Sequence, residues 1–209
     1  MISRVKICGI TQLPDALVAI EAGVSALGFV FYAPSPRFIE ANQAQQIIAQ
    51  LPPFVTTTAL FVNEQISVVN SIIDQVQPDL LQFHGDEDEA YCAQFNRPYI
   101  KALRVRPDAD LISIASRYSS ARALLLDTYV KGVPGGTGAA FNWQLIPEAM
   151  RSKIILAGGL DSTNVASAIK QIRPYAVDVS GGVELEKGRK CPVKIKRFMQ
   201  EVASANDEN

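Results

Sequence analysis

Arg4-Val5-Lys6-Ile7-Cys8-Gly9-Ile10-Thr11 begins as a short apolar run and breaks at a glycine. Residues 5–8 read as a strand, and Gly9 can take backbone angles that other residues resist. Thr11 reads as a helix N-cap, followed by Gln12-Leu13-Pro14-Asp15. Pro14 is tolerated in that first turn because no intrahelical N–H bond is lost there. Strand, tight turn and helix form the repeating unit of an α/β protein. The same reading sets Cys8 at the carboxyl end of a strand, facing the free N–H groups of a helix, which lower a thiol's proton affinity. A lone cysteine is more often a small buried apolar residue. The rest of the chain decides between the two.

The unit recurs from end to end. Apolar runs occupy residues 5–8, 26–31, 57–62, 80–83, 99–103, 123–126, 154–157 and 176–179. Helical spacing fills the intervals. Leu13, Leu17 and Ile20 share a face closed by Gly23, and Val165, Ile169 and Ile172 repeat it after Asp161-Ser162. Further helices are predicted over 42–51, 64–76, 87–95, 108–116, 143–150 and 193–203. Continuous Val/Ile/Leu runs mark parallel strands buried on both faces. Eight strand–helix units predict an α/β fold, a closed (β/α)8 (TIM) barrel, with an open doubly wound sheet as the second reading. No composition break marks a linker, so residues 1–209 read as one domain.

Composition narrows the function classes. With 209 residues, 48% hydrophobic and 20% charged, the chain can bury a sizeable core. A formal net charge of −1 gives no general attraction to nucleic acid or an anionic membrane, so neither is an expected partner. Cys8, Cys92 and Cys191 are scattered and odd in number, which suits reduced thiols in the cytoplasm. No metal-ligand spacing joins them to His84. The N-terminus lacks the apolar core of a signal peptide, and no apolar run is long enough to span a bilayer.

A barrel of this kind gathers its active site at the carboxyl ends of the strands. Cys8 ends the first, and the second leads into Tyr32-Ala33-Pro34-Ser35-Pro36-Arg37-Phe38, a proline loop that projects an arginine. The fourth gives Gln82-Phe83-His84-Gly85 and the sixth Leu126-Asp127-Thr128. Gly158-Gly159 follow the seventh, and Ser180-Gly181-Gly182 the eighth. Glycine is a default turn residue, yet doublets at both of these ends bring bare N–H groups together where barrels bind phosphate. A third cluster, Gly132-Val133-Pro134-Gly135-Gly136-Thr137-Gly138, fits neither a dinucleotide fingerprint nor a P-loop and reads as a mobile lid.

Together with Lys6-Ile7-Cys8-Gly9-Ile10-Thr11, Ser35-Pro36-Arg37, Gln82-Phe83-His84-Gly85, Leu126-Asp127, Gly135-Gly136-Thr137-Gly138, Phe141, Trp143, Ala157-Gly158-Gly159-Leu160 and Val177-Asp178-Val179-Ser180-Gly181-Gly182-Val183-Glu184, the chain resembles the phosphoribosylanthranilate isomerase family of tryptophan biosynthesis. The resemblance runs in order over nearly the whole length. It implies a (β/α)8 enzyme without a cofactor or metal, whose partner is a small phosphorylated substrate. The implied reaction is an Amadori rearrangement of N-(5-phosphoribosyl)anthranilate to 1-(2-carboxyphenylamino)-1-deoxyribulose 5-phosphate. Carried over, the general base falls on Cys8, the general acid on Asp127 and the carboxylate-binding arginine on Arg37. His84 and Asp178 complete the substrate-binding set, and Gly158, Gly159, Ser180, Gly181 and Gly182 the phosphate site. Three positions depart: Gly181 replaces a second serine, Asn142 an aspartate, and Cys191 an aspartate common after the Gly-x-Lys turn. The first removes one hydroxyl donor to phosphate.

These residues suit the chemistry on their own terms. Opening the ribose ring needs a proton on its oxygen, and partial burial of Asp127 would favour the acid form that supplies one. The iminium left at C1 acidifies the C2 proton, which a Cys8 thiolate would remove; the substrate's nitrogen is the electron sink. A guanidinium fork suits a carboxylate better than an ammonium does. His84 is expected to orient a ligand and take no share in proton transfer. Strand alternation turns Lys6 with Cys8 and Asp178 with Ser180, so Lys6 and Asp178 are expected to pair inside the barrel and favour the thiolate. The basic run 187–197 reads as a solvated loop and helix face. A related isomerase of histidine biosynthesis would show half-barrel repetition and an aspartate at position 8, and neither is present. A phosphosugar-binding protein without turnover stays open, as do monomer and homodimer.

Overall fold

A computed structural model describes residues 4–106, 108–128 and 142–207. In chain order the elements are β1 (Arg4–Cys8), α1 (Leu13–Glu21), β2 (Ala26–Val30), α2 (Ala41–Ile48), β3 (Thr56–Phe61), α3 (Ile66–Val76), β4 (Leu80–Phe83) and α4 (Glu89–Ala93). Then come β5 (Tyr99–Val105), α5 (Leu111–Ser116), β6 (Ala123–Thr128), a 3-10 turn (Trp143–Leu145), α6 (Glu148–Arg151), β7 (Ile154–Leu156), α7 (Val165–Ile172) and β8 (Ala176–Val179). A second 3-10 turn (Gly181–Val183) leads to β9 (Glu184–Glu186), β10 (Arg189–Lys190) and α8 (Pro192–Asp207). Strands β1 to β8 close into a parallel barrel in sequence order, β1 pairing with β8 through Arg4↔Ala176, Val5↔Val177, Lys6↔Asp178 and Ile7↔Val179. The open-sheet reading is thereby excluded.

Strand alternation splits the core into two layers. Outward residues such as Ile7, Leu27, Phe61, Leu81, Phe83, Leu126, Leu156 and Val177 join the buried helix faces, among them Val165, Ile169 and Ile172 of α7. Inward residues Ile100, Ala102, Leu125, Ile155, Ala157 and Ala176 fill the β5–β8 side of the barrel. On the β8–β1–β4 side the inward positions instead carry Lys6, Gln82 and Asp178, all buried. That asymmetry is what leaves room for chemistry.

Several local expectations change. Helix α1 starts after Gln12, which makes no side-chain cap; the Thr11 hydroxyl donates to the Gly188 carbonyl instead. The buried face of α1 is Asp15, Ala16 and Ala19, while Leu17 is 43% exposed. The segment 143–150 is not one helix, because Pro147 lacks an N–H and forces extended backbone before it, so a turn and α6 flank it. The basic run is not a solvated face throughout: β9 and β10 pair antiparallel around Gly188 (φ +85), and Lys190 is 2% exposed. The glycine cluster 132–138 and Phe141 lie outside the described residues. Among the described residues no helix is long and apolar enough to cross a membrane.

Candidate active site

A cavity of about 350 Å³ opens at the carboxyl ends of the strands. Cys8, Arg37, His84, Asp127, Gly158, Gly159, Asp178, Ser180, Gly181 and Gly182 all line it, so every site residue expected from the sequence meets at one opening. They arrive from six strands or the loops after them, as closure of a short barrel dictates.

Cys8 ends β1 opposite Gly28 of β2. A Cβ at Gly28 would sit 2.8 Å from Cys8 Sγ, so the missing side chain makes room for the sulfur. Burial pushes the thiol above its ordinary range; Lys6 pulls it down, Asp178 pushes it up and Lys190 pulls it down. Burial wins, against the expectation of a thiol acidified by the helix. Lys6 Nζ donates to Asp178 Oδ1 at 2.8 Å inside the barrel, the pairing that strand alternation foresees. Burial disfavours the Lys6 ammonium, but Asp178 and Cys8 outweigh it and raise its proton affinity.

Across the cavity Asp127 ends β6 with 6% exposure. Its Oδ1 accepts the Thr128 N–H at 2.8 Å, and its Oδ2 lies 3.2 Å from His84 Nε2. Gln82 Nε2 donates to His84 Nδ1 at 3.1 Å, which leaves the ring proton on Nε2, directed at Asp127. Gly158 (φ +85) lets the loop after β7 lie against this corner, where a Cβ would run into Thr128 and sit 3.0 Å from Asp127 Oδ1. Gly182 is equally constrained, since a Cβ would strike the Leu160 carbonyl. Gly159, Gly181 and Gly182 line the cavity with no side chain of their own.

Two residues missed by sequence reasoning are buried behind the cavity wall. Glu184 takes the Arg37 fork with both oxygens, Nε at 2.8 Å and Nη2 at 2.7 Å, leaving the Nη1 edge of the guanidinium outside the pair. Lys190 Nζ donates to Glu184 Oε1 at 2.8 Å and to the carbonyl of Cys8 at 2.6 Å. That carbonyl also accepts the Ser180 hydroxyl at 2.8 Å. Burial works against the Glu184 charge, but Arg37 and Lys190 outweigh it and hold the carboxyl below its ordinary range. Glu184 closes the motif that begins at Val177, and Lys190 is the lysine of the Gly-x-Lys turn before Cys191, so each had a hint in the sequence. Among the described residues no group of three or more His, Cys, Asp or Glu side chains could hold a metal ion.

A thiol, a carboxyl and an imidazole line one cavity at the top of a (β/α)8 barrel, the groups that an enzyme of the acid–base class uses. Comparison with known proteins gives the particular family. The model of N-(5'-phosphoribosyl)anthranilate (PRA) isomerase matches residues 5–201. A Pseudomonas putida N-(5'-phosphoribosyl)anthranilate isomerase is 59% identical over 202 residues, covering 97% of this chain and 98% of the relative. The crystal structure of phosphoribosyl anthranilate isomerase from Thermotoga maritima superposes with a TM-score of 0.88 at 40% identity, over 97% of this chain and 99% of that one. A phosphoribosyl anthranilate isomerase solved in complex with reduced 1-(o-carboxyphenylamino)-1-deoxyribulose 5-phosphate gives 0.85 at 39% identity, with the same coverage. The chain belongs to the phosphoribosylanthranilate isomerase family.

Proposed function

We propose that the protein converts N-(5-phosphoribosyl)anthranilate to 1-(2-carboxyphenylamino)-1-deoxyribulose 5-phosphate, the Amadori step of tryptophan biosynthesis, with Asp127 as general acid and Cys8 as general base. The carrying observation is that Cys8 and Asp127, distant in sequence, line one cavity whose rim holds Arg37 and the glycines after β7 and β8. The solved relative holding the reduced product analogue supports the substrate class.

Protonated Asp127 gives its proton to the ribose ring oxygen as the C1–O bond breaks, and the nitrogen lone pair forms the C1 iminium. The new carboxylate is held by the Thr128 N–H and by His84 Nε2, so His84 stabilises the acid's charged form without moving a proton itself. Cys8 in its thiolate form then takes the C2 proton, and the electrons flow to nitrogen as the enolamine forms. Loss of the C2 hydroxyl proton and protonation at C1 give the ketone, with no net change in oxidation level. Arg37 receives the anthranilate carboxylate on the guanidinium edge that Glu184 leaves free. The backbone at Gly158, Gly159, Ser180, Gly181 and Gly182 holds the phosphate, supported by barrel precedent. Asp178, which lines the cavity, fixes Lys6 next to the base. Residues 1–209 are read as one catalytic domain, and its setting as the cytoplasm, in keeping with three scattered cysteines.

The test is turnover of freshly formed phosphoribosylanthranilate, followed by anthranilate fluorescence. Cys8→Ala and Asp127→Ala should each lose about 10³-fold or more in kcat while still binding the reduced product analogue. Near-normal kcat in both variants would refute the assignment.

A further inference from the structure

Lys190 is the residue that the proposed reaction leaves without a role. Its ammonium is buried at the junction of β10, the end of β1 and the turn after β8, bonded to Cys8 O, Glu184 Oε1 and, at 3.3 Å, Ser180 Oγ. Taking an ammonium out of water costs several kcal/mol, and well-packed apolar groups of similar volume often do as well or better for stability. A charge kept there points to a use for the charge. We propose that Lys190 is a positioning residue for the base: it fixes the end of β1 through the carbonyl of Cys8, and its ammonium favours the thiolate form of the same residue. The inference rests on Cys8 being the base.

A charge count around the sulfur supports this. Lys6 reaches Cys8 from β1, but its charge is matched by Asp178 of β8. From the β9–β10 hairpin and the loop after β2 come Lys190, Glu184 and Arg37, two cations sharing one carboxylate. His84, after β4, and Asp127 of β6 line the same cavity as the sulfur. The unmatched positive charge near the thiol therefore belongs to the Lys190–Glu184–Arg37 group. Lys190, which pulls the thiol down, and Glu184, bonded to it, carry opposite charges, although both help to hold the same corner.

That opposition separates a field effect from simple support. Alkylation of Cys8 by iodoacetamide, followed across pH by peptide mass spectrometry so that Cys92 and Cys191 are scored apart, reads the thiolate directly. Lys190→Met should move the alkylation midpoint up by about one pH unit, the shift expected for losing one nearby cation. Glu184→Gln should move it down, by about half a unit, since it removes a neighbouring anion. Shifts in the same direction, or no shift in either, would overturn the proposal. If Lys190→Met does not fold, Glu184→Gln decides alone: a downward shift supports the field effect, and an unchanged or upward midpoint rejects it. The acid limb of kcat in the same variants tests the base itself. Alkylation midpoints that shift while the kinetic limb stays put would count against Cys8 as base and leave the role of Lys190 in setting the thiolate intact.

Discussion

Two of the buried lysine–carboxylate pairs among the described residues are built for different ends. Lys101 of β5 meets Glu87 at 2.7 Å on the outer side of the sheet, both side chains 2% exposed. Glu87 Oε1 also accepts the Asn63 N–H and Oε2 the Gly85 N–H, while Lys101 donates a second bond to the Gly85 carbonyl. Every arm of that pair ends on a loop backbone, so it fastens the turns after β3 and β4 to one another. Lys6 and Asp178, 2.8 Å apart, have similar burial, but Asp178 lines the cavity and Lys6 lies beside the Cys8 sulfur. One pair is saturated by structure; the other keeps bonding capacity on the side where substrate arrives. The chemistry of a buried pair is thus read from what its remaining lone pairs and protons meet.

Breaking the saturated pair should give the largest effect, and on stability alone. Lys101→Met leaves Glu87 as an unpaired buried carboxylate, a loss of about 3–5 kcal/mol. It should appear as a lower urea midpoint at unchanged slope. Folded Lys101→Met should keep kcat within about threefold, since the loops it loosens touch the acid only through His84. If kcat fell with stability, the division between the two pairs would be artificial. Breaking the inner pair should invert the pattern. Lys6→Met should lower kcat by about a hundredfold, the low end of what acid–base assistance supplies. Affinity for the reduced product analogue should hold, because Lys6 is not among the residues lining the cavity. A raised KM with normal kcat would place Lys6 in binding and refute its part in setting the base.

The two pairs also show what a sequence can tell. The barrel was legible because parallel strands buried on both sides read as unbroken apolar runs, and β4 and β8 match those runs at both ends. The inner pair was legible too, because a period of two turns Lys6 with Cys8 once the barrel closes β1 on β8. The Lys101–Glu87 pair has no such signature, since it depends on how one loop folds back over a strand. The hairpin β9–β10 escaped notice for a related reason. Its strands span three and two residues, too short for any periodicity, and Lys190 sits in a run of charges that resembles a solvated surface. Its burial is set by Asp15, Cys8 and Glu184, groups from three separate parts of the chain that only tertiary structure assembles. Thr11 failed as a cap for the same cause, its hydroxyl taken by the Gly188 carbonyl of that hairpin.

A third pair, Lys190–Glu184, lies between the two types, fixed by structure yet adjacent to the base, and it carries the smallest effect. The Glu184 carboxyl is held below its ordinary 4.5 because Arg37 and Lys190 outweigh the cost of burial. A carboxyl whose proton affinity is lower folded than unfolded contributes stability that is fully present above the unfolded value. That contribution is lost as pH falls through the folded value. Wild-type unfolding free energy should therefore decline between about pH 5 and pH 3 more steeply than that of Glu184→Gln, the two curves converging at the acid end. Urea unfolding at half-unit steps of pH measures the difference. Since the Arg37 guanidinium, raised by Glu184, stays charged throughout this window, a steeper decline in the variant would mean that the carboxyl is not ionised against it. The hairpin would then be held by packing alone, as the Lys101–Glu87 corner is not.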